Sequence, residues 1–208
     1  MPTRFADLHI HQVDLARQCV ALGGRFRTVE LITGLTHSQL KNIFKPDRQS
    51  LPRGRAPDSP EWYYRGNLLD RIDASVFAAS YRRHRILQFE PAQSLLGGYR
   101  RYISICGESH RLNFDRAFDL AGHIEGMWVI DEAQLSLVTC PVCSSHHISV
   151  IGDLPLSNAE CPFCKLVRRY GLDQRIQSAF PALPTPSAMD VEWSKAFLAG
   201  VLRVTSQE

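Results

Sequence analysis

Four cysteines in two C-x-x-C pairs, Cys140-Pro141-Val142-Cys143 and Cys161-Pro162-Phe163-Cys164, are the residues of this chain best equipped for chemistry. Each pair can form one edge of a tetrahedron, and the 17 residues between the pairs are enough to bring the two edges together, which is the spacing of a four-thiolate zinc site. Pro after the first Cys fixes φ and favours a tight turn that aims both sulfurs at one point. Ser144 and Lys165 stand where such turns often carry Gly, so a left-handed residue is expected there. Cys140, Cys143, Cys161 and Cys164 are therefore expected to hold one Zn2+ per chain. The role is structural, because four thiolates close the coordination sphere and leave no position for water. Iron is compatible with the same ligand type. Disulfides are disfavoured: residues 1–20 contain no apolar signal region, so the chain is expected in the cytoplasm, where thiols stay reduced. Cys19 and Cys106 stand apart from the pairs and read as small buried hydrophobes.

A second set of groups suits nucleic acid. Residues 25–45 read as a helix with Phe26, Val29 and Ile32 or Thr33 on one face, a turn at Gly34, and a second helix capped by Thr36 that buries Leu40, Ile43 and Phe44. Helix, three-residue turn and capped helix is the helix-turn-helix pattern. It would present His37, Ser38, Gln39, Lys41, Asn42 and Lys45 outward; Gln and Asn can pair with adenine, and lysines meet phosphate or guanine. The following stretch, 46–60, is a Pro/Arg-rich connector whose Arg53 and Arg55 suit phosphates or a minor groove. Residues 1–60 hold nine Arg or Lys against five acids, although the whole chain is only +3. The same residues also suit a structural αα-hairpin with a solvated surface.

Asp7-Leu8-His9-Ile10-His11 has the D-x-H-x-H spacing of a metal-binding strand in barrel hydrolases. The residues after it read as helical, with Ile10, Val13, Ala16 and Val20 on one face and both histidines at the surface. No Ser/His/Asp set, phosphate loop or paired acids sit on a plausible scaffold, so the chain is not expected to be an enzyme.

The elements that would carry these groups are mainly helical, with a small four-cysteine zinc lobe and short strands. Residues 1–134 read as a helical body, 135–170 as the zinc lobe and 171–208 as a Pro-containing linker and C-terminal helix. Gly23-Gly24 ends the first helix. Leu68 or Leu69, Ile72, Val76, Ala79, Arg83 and Ile86 trace one face of a long helix. Pro91 opens another, and Asn113 or Asp115 caps a third. Residues 135–139 and 147–151 read as short strands flanking the zinc knuckles. No apolar run approaches the roughly 18 residues that cross a bilayer.

In this order the features resemble the FlhC family, subunits of the flagellar master transcriptional activator. The matching residues are Ala21-Leu22-Gly23-Gly24-Arg25 leading into the helix-turn-helix, the Pro/Arg connector, Glu61-Trp62-Tyr63, Gly98-Tyr99-Arg100-Arg101-Tyr102 and the double C-x-x-C, over about residues 12–170. The resemblance implies a helical DNA-binding activator whose zinc ligands map onto Cys140, Cys143, Cys161 and Cys164. It also implies a hetero-oligomer with an FlhD-like subunit, acting on flagellar promoter DNA through RNA polymerase. Two copies of this chain on a symmetric operator would offset its modest net charge by effective concentration. The alternative is a zinc-stabilised protein-interaction module with no DNA contact of its own.

Overall fold

A computed structural model describes residues 3–44, 59–152 and 160–180. Lys45, Arg53, Arg55, most of the Pro/Arg connector and the C-terminal helix expected beyond residue 181 lie outside the described residues. The chain forms two compact units, Met1–Arg169 and Tyr170–Glu208.

The first unit is mainly helical. Helix α1 (Thr3–Ala21) ends before Gly23-Gly24, as expected. Among its described residues Leu15, Ala16 and Cys19 are buried, with Val13 and Val20 packed at the edge. Ile10 is instead 65% exposed, so the apolar face begins about one turn later than the periodicity suggests. Asp7, His9 and His11 are exposed on this helix, not on the strand that a barrel hydrolase would need.

Helices α2 (Phe26–Thr33) and α3 (His37–Ile43) are joined by the expected three-residue turn. Gly34 supplies its left-handed conformation at φ 71°, where a Cβ would be strained. Thr36 makes a reciprocal capping box with Gln39: its hydroxyl accepts the Gln39 N–H, and Gln39 Oε1 accepts the Thr36 N–H at 2.8 Å.

Helices α4 (Glu61–Arg65), α5 (Leu68–Ile86), α6 (Pro91–Cys106) and α7 (Phe114–Glu125) complete the helical body. Asn67 and Asn113 cap α5 and α7, and Pro91 opens α6. The buried face of α5 is not the one traced by Val76, Arg83 and Ile86. It runs through Ile72, Ala74, Phe77, Ala78 and Tyr81, and it includes Asp70, Asp73, Ser75 and Ser80. Arg83 is exposed and Ile86 is 65% exposed. Helix α6 approaches α5 closely because Gly98 lacks a side chain: a Cβ there would lie 2.9 Å from Tyr81 Cα.

The buried acids of this body are each partnered, as burial in a low dielectric requires. Asp73 accepts from the Tyr102 hydroxyl at 2.5 Å and from the Arg111 N–H at 2.7 Å. The Tyr102 oxygen in turn accepts the Leu112 N–H at 3.0 Å, which draws the segment before α7 onto the α5–α6 pair.

Strands β1 (Leu135–Thr139) and β2 (His146–Val150) form an antiparallel hairpin with Leu137 opposite Ile148. The hairpin is not free-standing. Leu135 and Ile148 are buried in the same cluster as Phe77 and Tyr81, and Ser75 Oγ of α5 accepts the Ile148 N–H at 3.3 Å. Helix α8 (Pro162–Tyr170) follows.

In the second unit a short helix, α9 (Gln174–Ala179), is capped by Asp173, and the Tyr170 hydroxyl donates to the Phe180 carbonyl at 3.0 Å.

Candidate metal centre and DNA-facing helix

The first cysteine pair lies in the turn between β1 and β2. The turn closes by two backbone bonds: the Ser144 N–H donates to the Cys140 carbonyl and the Cys140 N–H to the Ser145 carbonyl, both at 2.9 Å. Ser144 adopts φ 59°, the left-handed conformation expected of it. The second pair is built differently. Cys161 immediately precedes α8, Pro162 takes the first helical position, and Cys164 lies one turn on, so Lys165 is helical and not left-handed. Its N–H donates to the Cys161 carbonyl at 3.0 Å.

A turn and a helix start thus present two sulfurs each. The four Sγ atoms lie within 4.8 Å of one another, with Cys140 and Cys164 at 3.8 Å and Cys143 and Cys161 at 3.7 Å. A tetrahedron with metal–sulfur bonds of about 2.3 Å requires sulfurs about 3.8 Å apart, so this cluster can hold a metal ion of zinc's size. A disulfide would need about 2.05 Å, and the cysteines are free thiols.

Electrostatics point the same way. Hydrogen bonds from the Ser145 hydroxyl and backbone favour the Cys143 thiolate and pull its pKa down to about 6. The neighbouring Cys143 sulfur then pushes Cys164 up to about 12. Crowded sulfurs cannot all ionise unaided, and a divalent cation among them removes that conflict. Cys140 and Cys161 are buried, whereas Cys143 is exposed, so the centre sits at the surface with one buried side.

The predicted DNA-facing residues divide into two groups. His37, Ser38, Gln39 and Asn42 are exposed on α3, and Lys41 is half-buried. Two of them are already occupied. His37 Nδ1 lies 2.7 Å from Glu30 Oε1, and Gln39 Oε1 is held in the capping box, so Gln39 cannot pair with adenine through both amide atoms without breaking the cap. The side chains of Ser38 and Asn42 have no hydrogen-bond partner among the described residues.

Asp115 positions this pair of helices, and periodicity did not mark it. Asn113, not Asp115, caps α7, and the freed carboxylate reaches α2. Asp115 Oδ1 accepts the Arg25 N–H at 3.1 Å and the Thr28 hydroxyl at 2.6 Å, and its other oxygen lies 3.4 Å from Arg25 Nε. A buried carboxylate at the start of α2 satisfies donors that no local side chain caps. The only signal in the sequence is the choice between two capping candidates two positions apart.

Residues 6–177 match the sequence profile of the family described as Flagellar transcriptional activator (FlhC). Among similar proteins, the Flagellar transcriptional regulator FlhC of Cupriavidus metallidurans is 30% identical over 175 residues, covering 79% of this chain and 76% of that one. Those of Serratia marcescens and Pectobacterium carotovorum are each 26% identical, covering 82% of this chain and 89% of theirs.

Proposed function

The chain belongs to the FlhC family of flagellar transcriptional activators, and from that premise we propose that it binds promoter DNA directly, in a hetero-oligomer with an FlhD-like subunit. The observation that carries the reading is the α2–turn–α3 unit: a capped helix with an exposed polar face, anchored to the body through Asp115. Ser38, Lys41 and Asn42 are its freest polar groups, and Lys45, Arg53 and Arg55 extend the same stretch of sequence toward phosphates. His37 and Gln39 contribute after release from Glu30 and from the cap.

Cys140, Cys143, Cys161 and Cys164 hold one Zn2+, whose contribution is to cross-link the β1–β2 turn to the start of α8. Zinc fits the sulfur spacing; iron shares the ligand type, and metal analysis of the purified chain separates them. Two copies of this chain in one assembly with the FlhD-like subunit would place two reading helices on symmetric half-sites and recruit RNA polymerase.

The occupied His37 and Gln39 favour a second reading, a protein-interaction module without DNA contact. Charge reversal at Lys41, Lys45, Arg53 and Arg55 separates the two. Each lost phosphate contact lowers the slope of log affinity against log salt by about 0.9, so the quadruple variant should lose up to about 3–4 units of slope on promoter DNA. An unchanged slope and affinity would transfer the DNA contact to the partner.

A further inference from the structure

An open groove of about 330 Å³ lies between α5, α6 and the two cysteine knuckles. Its floor is apolar, made by Val76 and Ala79 of α5, Ile105 of α6 and Phe163 from within the second knuckle. Arg83 and Arg101 stand at its rim, both exposed and neither in an ion pair among the described residues. Among the described residues no Asp or Glu lines it. On the knuckle side the wall is Ser145 and His146, and the His146 ring is held by its Nδ1, 3.0 Å from Thr139 Oγ1.

We propose that this groove docks an acidic amphipathic segment of a partner protein, with an aliphatic or aromatic side chain on the Ile105–Phe163 floor and carboxylates on Arg83 and Arg101. Two features select this occupant. Two exposed guanidiniums lining the groove, with no acid beside them among the described residues, favour an anionic ligand with planar, bidentate acceptors. Ile105 is 56% exposed, and a phosphate backbone would gain nothing from it, whereas an apolar side chain would bury it. The volume suits one or two side chains, as in other peptide-binding clefts where a few anchors carry most of the energy. Because Phe163 and Ser145 come from the two knuckles, a metal that ties the knuckles together also sets the shape of that side of the groove.

This inference rests on the proposed role in a regulatory assembly, but its test contains no promoter DNA, so the two can fail separately. The probe is a fluorescein-labelled peptide of about ten residues alternating glutamate with leucine and phenylalanine, titrated into the full chain and followed by anisotropy. Saturable binding is expected, weakened at least about ten-fold by the double substitution Arg83→Glu and Arg101→Glu, and by a similar factor when the peptide's glutamates become glutamines. Ile105→Asp should weaken binding as well. Arg27→Glu, exposed on α2, should leave it unchanged, and circular dichroism verifies that each variant is folded. Three results would overturn the proposal: no saturable binding below millimolar peptide, equal affinity of the double variant, or loss of affinity for a random DNA duplex alone in that variant, which would make the groove a phosphate surface.

Discussion

If the four cysteines hold the proposed metal, removing it should destabilise the helical body and not the cysteine knuckles alone. The β1–β2 hairpin carries the first knuckle, and it inserts Leu135, 1% exposed, and Ile148, 5% exposed, into the same core as Phe77 and Tyr81. Fully burying each such side chain is worth about 1.5–3 kcal/mol, so about 3–6 kcal/mol of core burial depends on the hairpin staying docked. The Ile148 N–H bond to Ser75 opposes its release, which makes that figure an upper value. Against a total stability of about 5–15 kcal/mol this is a large share. For a chain of this size the corresponding fall in Tm is roughly 6–24 °C. Calorimetry with and without a chelator, with released metal titrated by a colorimetric dye, tests it, and Cys161→Ser should reproduce the chelated trace. A body transition that stays at its original temperature while the knuckles melt separately would refute the energetic coupling.

Three further perturbations follow from named contacts. Thr36→Ala removes the hydroxyl half of the capping box and should cost about 1 kcal/mol in urea unfolding, with Thr36→Ser largely restoring it. Gly98→Ala places a Cβ 2.9 Å from the Tyr81 backbone and should lose about 1–3 kcal/mol despite better helix propensity, whereas the atoms nearest a Cβ at Gly97 belong to the His84 side chain, so Gly97→Ala should be milder. Burial holds the Asp119 carboxyl above its ordinary pKa, against the lowering effect of the Tyr63 hydroxyl at 2.6 Å and of His123. Such a carboxyl binds more protons folded than unfolded, so its contribution is present below the unfolded value near 3.9 and is lost as pH rises through the folded one. Asp119→Asn should therefore gain stability relative to the unaltered chain as pH rises from about 4 toward neutrality; a pH-independent difference would contradict this.

What could be read from the sequence alone was local. The cysteine pairs, the Gly34 turn, the Thr36 cap and the left-handed Ser144 each depend on residues a few positions apart, where sterics and short hydrogen bonds decide the conformation. The spacing between the pairs also suited convergence on one point. It did not reveal that one knuckle is a turn and the other a helix start, because Pro is equally at home in both.

Which face of α5 goes inside is set by its neighbours in the fold. That helix packs against neighbours on several sides, so Asp70, Asp73, Ser75 and Ser80 go inside and blur the apolar period on which the sequence reading relied. Ser80 is satisfied locally by the Val76 carbonyl, but the other three rely on partners far along the chain: Arg111 for Asp70, Tyr102 and the Arg111 N–H for Asp73, and the Ile148 N–H for Ser75. Asp115 likewise serves Arg25 and Thr28, 90 and 87 residues away. Periodicity records whether a side chain is apolar; whether a polar one can be buried depends on a partner that only the folded chain brings within reach.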